Sequence, residues 1–382
     1  MPRKVVEMKS LVDNALGRTG LPEQVQPQAP TTPDDKELME LIEGLKLSIK
    51  VYGCGGGGSN TVSRLMNAGV IGAELIACNT DARHLLNTQA HKKILIGKRL
   101  TKGLGAGGEP HMGEQSAKEA EDEIKKSLQG AHIVFVACGL GGGTGTGSAP
   151  VVAQLAKSAG AMVIAFATKP FKGEGKRRME EAEMGLARLS SVADTVVVIS
   201  NDRLLEMAPK LPLNQAFLVL DELLMDSMKS IIELVTKPGL VNLDYNDLKT
   251  IIDGGGVSVM GLGESDASGG ERVDDAVNAV LNCPLLEYDI KNATGALVKI
   301  TGGPDMTLAE AEKVAEIIQS RVNPNTRLIW GASVDPEMKG IVKVMLVVTG
   351  VSSKQLVGRS DRTALQYGAR SGSQPGNLDM VR

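Results

Sequence analysis

Gly139-Leu-Gly-Gly-Gly-Thr-Gly-Thr-Gly147 constrains this chain more than any other segment. It follows a short apolar run, Ile133–Cys138, and precedes a helix-like stretch, Ala149–Ala159. A strand, a glycine segment and a helix in that order set backbone N–H groups and a helix N-terminus around one anion. Side chains would obstruct that approach, so glycine is kept, and Thr144 and Thr146 add hydroxyl donors. A flexible linker is the alternative reading; ordered apolar flanks on both sides argue against it.

Three more segments share this placement. Gly53-Cys-Gly-Gly-Gly-Gly-Ser-Asn60 follows the strand-like run Leu47–Tyr52, and Gly103-Leu-Gly-Ala-Gly-Gly108 follows Lys93–Ile96. Asn79-Thr-Asp81 closes the run Glu74–Asn79 with a polar tip. Gly53, Gly55 and Gly58 satisfy G-x-G-x-x-G, which alone suggests a nicotinamide-dependent oxidoreductase, but a dinucleotide domain needs only one such segment. No G-x-x-x-x-G-K-[ST] occurs, so a P-loop is excluded. Further strand-like runs, Met162–Thr168 and Thr195–Ile199, alternate with helical stretches such as Met112–Leu128 and Gly175–Ser190. That alternation predicts an α/β fold: a parallel sheet covered on both faces, with ligands bound at the carboxyl ends of its strands.

The 382 residues are long enough for two domains. Leu213–Thr236 reads as one long helix between Pro212 and Pro238-Gly239. Beyond it, strands at Val257–Leu262, Leu297–Thr301, Arg327–Ala332 and Ile341–Val348 and helices at Arg272–Leu281 and Thr307–Arg321 predict a smaller α+β unit. Residues 1–20 have amphipathic helical spacing, Pro22–Pro33 is a linker, Asp34–Leu45 looks helical, and the tail after Ser352 is polar. The expected organisation is an extension at 1–46, a nucleotide domain at 47–212, a core helix at 213–237, a second domain at 238–352 and a tail at 353–382.

A net charge of −3 without a basic block argues against a nucleic-acid surface. The four cysteines lack metal-ligand spacing and read as small buried thiols in a reducing cytoplasm. No apolar run approaches the roughly 20 residues that span a bilayer.

The glycine segments, Asn79-Thr80-Asp81 and Thr168-Lys-Pro-Phe-Lys-Gly-Glu-Gly-Lys-Arg-Arg178 together resemble the FtsZ family, the prokaryotic tubulin homologues that build the cell-division ring. Gly-Gly-Gly-Thr-Gly-Thr-Gly is the specific signature, the resemblance runs from about residue 47 to 350, and Ile329-Trp330-Gly331 resembles the archaeal branch. The resemblance implies a tubulin-like fold, a Rossmann-type GTPase domain joined by a long central helix to a smaller α+β domain. It implies binding of GTP and GDP with Mg²⁺, hydrolysis to GDP and phosphate, head-to-tail self-assembly, and a cytoplasmic place at the division site.

On the same resemblance, Gly55, Gly56, Gly57, Gly58, Ser59 and Asn60, with Gly141, Gly142, Gly143, Thr144, Gly145 and Thr146, would hold the phosphates. Asn79 and Asp81 belong to the same edge, and Gly105, Ala106, Gly107 and Gly108 would lie near the γ-phosphate. Glu174 and Arg178 would contact the ribose, although their spacing also suits a helix salt bridge. Asn201 and Asp221 would take the guanine edge, with Phe217 stacked on it. A carboxylate can accept from guanine N1–H and its exocyclic amine together, a donor pair adenine lacks. Gly239-Leu-Val-Asn-Leu-Asp-Tyr-Asn-Asp247 resembles the family's catalytic synergy loop through Asn242, Asp244 and Asp247; Asp244 also suits a helix cap.

Asp221 to Thr236 is about 15 residues of helix, or ~22 Å at 1.5 Å per residue. If Asp221 touches the base, Asp244 and Asp247 cannot reach their own γ-phosphate and should meet the next molecule's. Such a heterologous contact propagates into an open filament. A scaffold that binds GTP without hydrolysing it is the second alternative, and the acids at 244 and 247 argue against it. Ser59 and Ser200 depart from common bacterial residues without removing a ligand group. The tail lacks the apolar-aromatic peptide by which bacterial relatives bind membrane anchors, so a membrane-anchor protein is expected without an identity.

Overall fold

Five strands in the first 200 residues are too apolar to face water and too widely separated for hairpins, so they pair in parallel. The computed structural model describes residues 47–203, 213–236, 241, 244–252, 256–267, 271–286 and 293–351. Expectations for residues 1–46, for Asn242 and for the tail lie outside the described residues.

Strands β1 (Ile49–Cys54), β2 (Ala73–Asn79), β3 (Lys92–Leu95), β4 (Ile133–Gly139), β5 (Met162–Lys169), β6 (Thr195–Ser200), β7 (Gly256–Ser265), β8 (Gly295–Gly302), β9 (Arg327–Val334) and β10 (Val342–Thr349) form one sheet. Its order is β3-β2-β1-β4-β5-β6-β7-β10-β8-β9. Pairing from β3 to β7 is parallel. β10 is antiparallel to β7 and β8, and β9 is parallel to β8. The two sequence-predicted halves therefore share a sheet, spliced where Thr195, Val196 and Val197 pair with Gly256, Val257 and Ser258. At that splice the Thr195 hydroxyl also donates to the Gly256 carbonyl (3.1 Å).

Helices α1 (Gly55–Asn67), α2 (Ala82–Asn87), α3 (Pro110–Glu119), α4 (Glu121–Leu128), α5 (Gly143–Ser158), α6 (Lys176–Val192), α7 (Leu213–Thr236), α8 (Tyr245–Ile252), α9 (Arg272–Leu281) and α10 (Leu308–Arg321) cover it. Some boundaries differ from the sequence reading. The helix expected from Ala149 already begins at Gly143, and α1 begins at Gly55. Glycine's low helix propensity hides a first turn that tertiary packing imposes. The stretch Met112–Leu128 is two helices joined at Ala120, where Glu121, Asp122 and Glu123 favour a new N-terminus.

The sheet's two margins are protected differently. β3 is four residues long and carries Lys92 and Lys93. At β9 the backbone of Val241 lies alongside, its carbonyl accepting from Ala332 N (3.3 Å). Gly331 makes this possible, because a Cβ there would sit 2.3 Å from Leu234 Cδ1 and 3.2 Å from the Val241 carbonyl oxygen.

Candidate nucleotide site

β1 and β4 are neighbours with Cys54 opposite Cys138, so α1 and α5 start side by side at the carboxyl edge of the sheet. Neither N-terminus has a side-chain cap: Cys54 precedes α1 and Gly142 precedes α5. Two sets of first-turn N–H groups, each at the positive end of a helix dipole, thus open on one place.

The glycines there do two different jobs. A Cβ on Gly58 would lie 2.2 Å from the Ala137 carbonyl oxygen, and one on Gly55 would lie 2.6 Å from Gly145 N. Those positions let α1 press onto β4 and α5. By contrast, a Cβ on Gly56 would find only His84 Nε2 at 4.0 Å, and one on Gly142 would find nothing within 4 Å. Only this second group leaves room for an anion.

The remaining segments are drawn to the same edge. Thr80 Oγ1 and Thr144 Oγ1 are 2.6 Å apart. Gly105 N donates to the Thr80 carbonyl (3.2 Å) and Ala82 N to the Gly103 carbonyl (3.0 Å). A Cβ on Gly143 would meet Ala106 Cβ and Glu109 N, so the 105–109 turn lies against the start of α5. Thr80 lies in the polar tip that the sequence places at this edge, without a role of its own; a buried threonine between two polar residues gives no periodic signal.

Asn79 and Asp81 are engaged locally. Asn79 Oδ1 accepts from Asp81 N (3.2 Å), and its amide lies 3.3 Å from His84 Nδ1. Asp81 caps α2 by accepting from Arg83 N and His84 N. Glu174 and Arg178 form the ion pair their spacing allows (3.0 Å), and Glu174 Oε1 also accepts from Phe171 N (2.8 Å). Arg178 is half exposed, and its backbone carbonyl packs against Gly141.

Several polar atoms at this edge find no hydrogen-bond partner among the described residues. Asn201 Oδ1, just past β6, is buried without a hydrogen bond in a residue only 4% exposed. Thr146 Oγ1 and Ser59 Oγ are buried in the same condition. An orphaned buried acceptor costs about 1–3 kcal/mol, so Asn201 fits a ligand that supplies an N–H. On α7, Asp221 Oδ2 lies 3.5 Å from Arg64 Nε, and Arg64 also reaches Glu222 (3.1 Å). Burial lifts the Asp221 carboxyl above its ordinary range, and Arg64 pulls it back down. Arg64 was missed from sequence because its partners lie in a helix far along the chain. The Phe217 side chain lies outside the described residues.

Beneath the cradle, Cys78, Cys54 and Cys138 form one row across β2, β1 and β4. All four cysteines are free and buried, as their apolar surroundings suggested.

The acids expected to act on the phosphate lie elsewhere. Asp244 Oδ1 accepts from Asp247 N (2.7 Å), so the first acid caps α8, and both side chains are exposed. Tyr245 packs edge-on against His132, with ring centroids 6.5 Å apart. His132 immediately precedes β4, whose other end feeds the cradle at Gly139. Seven residue steps of strand span roughly 23 Å, so the acids and the cradle sit at opposite edges of the sheet.

A parallel α/β sheet whose paired helix N-termini open on an anion cradle, beside an orphaned acceptor, defines a nucleotide-binding protein. Comparison with known proteins narrows this. Residues 48–209 match the model of the Tubulin/FtsZ family, GTPase domain, and residues 256–352 match that of the FtsZ family, C-terminal domain. The chain belongs to the Tubulin/FtsZ family and is a GTPase of that family.

It is 52% identical over 353 residues to the cell division protein FtsZ 1 of Archaeoglobus fulgidus, covering 92% of this chain and 95% of that one. With the Pyrococcus furiosus protein of the same name it shares 50% over 351 residues, 91% of this chain and 94% of the relative. Among solved structures, an empty FtsZ dimer from M. jannaschii superposes with a TM-score of 0.79 at 50% identity, over 84% of this chain and 92% of that one. A CetZ2 protofilament from Haloferax volcanii shares the fold at 22% identity, with a TM-score of 0.70 over 84% of this chain and 99% of that one.

Proposed function

We propose that this GTPase is a filament subunit of the cell-division machinery, assembling head to tail so that Asn242, Asp244 and Asp247 of one molecule complete the active site on the next. The observation that carries this reading is the separation of cradle and acids along β4. Relatives named as cell division proteins support the biological role. The FtsZ dimer from M. jannaschii supports self-association.

In the cradle, the first-turn N–H groups of α1 and α5 and the 105–108 turn hold the phosphates and stabilise charge as it accumulates on the γ-phosphate. Asn201 and Asp221 take the guanine edge, Asp221 by accepting from N1–H and the exocyclic amine, with Phe217 stacked on the ring. Glu174 and Arg178 lie along the ribose. The Asp244 and Asp247 carboxylates orient a water in line with the γ-phosphorus and accept its proton.

Mg²⁺ fits as a passenger of the nucleotide, neutralising phosphate charge. Among the described residues no three His, Cys, Asp or Glu side chains converge to cage a metal, so the phosphate oxygens would be its main ligands. No helix among the described residues is long and apolar enough to cross a membrane; a membrane-anchor protein is part of the proposal.

Asp247→Ala tests the reading. GTP affinity should stay within about twofold while turnover falls at least a hundredfold, as removal of a transition-state group does. Wild-type turnover by this variant would end the assignment.

A further inference from the structure

We infer that Tyr245 is a positioning residue for hydrolysis: its ring, braced on His132, sets where the acidic loop of one subunit is presented to the nucleotide of the next. The inference rests on the trans arrangement proposed above.

α8 carries the acids at its first turn, and its buried face belongs to the second half of the chain. Leu248, Ile251 and Ile252 are buried, the Ile251 carbonyl accepts from Thr349 Oγ1 (3.1 Å), and Gly295 approaches the Ile251 side chain. Upstream, the loop is tied to the same half through Val241 on β9. Toward the nucleotide-binding half, α8 instead faces a polar cleft of about 300 Å³ lined by Lys157, Asp194, Tyr245 and Lys249. Across that gap, the ring contact from Tyr245 to His132 reaches the base of the sheet.

His132 is a rigid stop. Its Nδ1 accepts from Ser48 N (3.0 Å), its N–H donates to the Ser48 carbonyl (2.8 Å), and its carbonyl accepts from Met162 N (2.9 Å). It therefore holds the starts of β1, β4 and β5 together. Opposite it, Tyr245 lies between the two carboxylates in sequence, and Asp244 and Asp247 are locked to each other by the α8 cap. A shift of the ring moves both acids as a unit. Edge-to-face ring pairs are weak but directional, so their loss should misplace the acids more than it destabilises the fold.

The test uses the full chain carrying Tyr245→Leu or Tyr245→Phe, with Asp247→Ala alongside. GTP affinity, sedimentation with a slowly hydrolysed GTP analogue, and phosphate release per sedimented subunit are measured on each. Tyr245→Leu should bind GTP and sediment normally but release phosphate about three- to tenfold more slowly per sedimented subunit, with KM unchanged. Tyr245→Phe, which keeps the ring, should run at the full rate. A full rate for Tyr245→Leu, or equal losses in both variants, overturns the brace. If Asp247→Ala itself turns over normally, the trans reading fails first; if it is dead while Tyr245→Leu is fully active, only the brace is wrong.

Discussion

The cradle edge and the acidic edge of this sheet are built on opposite plans. At the cradle, binding groups are backbone amides at two helix starts, fixed by glycines packed against neighbouring backbone. At the other edge the groups are exposed carboxylates, positioned by a reciprocal cap and one ring contact. The first plan gathers its polar groups within one fold. The second leaves two charged side chains exposed at the surface, which on the proposed head-to-tail arrangement act only on another molecule's nucleotide. An enzyme divided this way ties its chemistry to its assembly.

The two plans can be tested separately, starting with the largest expected effect. Subunits carrying Asp247→Ala keep a cradle without its acids, and subunits carrying Gly56→Ala keep the acids without a good cradle. Mixed at a GTP concentration too low to load the Gly56→Ala subunits, they should turn over faster than either does alone; if the mixture stays as inactive as its parts, the two edges do not cooperate between molecules. Next, the two kinds of cradle glycine should separate. Gly58→Ala should destabilise the nucleotide-free protein by about 3 kcal/mol, since overpacking against backbone cannot relax cheaply. Gly56→Ala should leave nucleotide-free stability unchanged or raise it by up to ~1 kcal/mol through helix propensity, yet weaken GTP binding at least tenfold. Chemical denaturation and nucleotide titration distinguish them, and equal stability losses would remove the distinction.

The smallest effect concerns pH. Burial raises the Asp221 carboxyl and Arg64 opposes it; if Asp221 accepts from guanine as proposed, that ionised acceptor is lost as pH falls through a value above the ordinary carboxylate range. Removing the guanidinium with Arg64→Ala should move that loss of GTP affinity to higher pH. An unchanged affinity profile would mean that Asp221 does not meet the base in its charged form.

The residues explain how much of this was legible beforehand. The strands and the long α7 could be read because continuous apolar runs and flanking prolines are local signals, and α7 spans Leu213–Thr236 as expected. The glycine segments located the cradle, but their two roles were invisible, since whether Gly58 or Gly56 faces backbone or open space is settled by the strand packed behind it. Arg64 beside Asp221 and His132 beside Tyr245 are contacts across long sequence separations, which no spacing rule reports. The shared sheet was hidden for the same reason: β6 and β7 are joined by only a short parallel ladder.

A ten-stranded sheet has two raw selvedges, and unpaired strand margins invite indiscriminate stacking with other chains. Here one margin is brief and studded with ammonium groups, while on the other Val241, a residue of the same segment that carries the acids, pairs with Ala332. The segment proposed to serve a neighbour's nucleotide thus also occupies part of this margin, at Ala332. A chain adding sideways to β9 would have to displace that bridge, whereas the head-to-tail assembly proposed above leaves it in place.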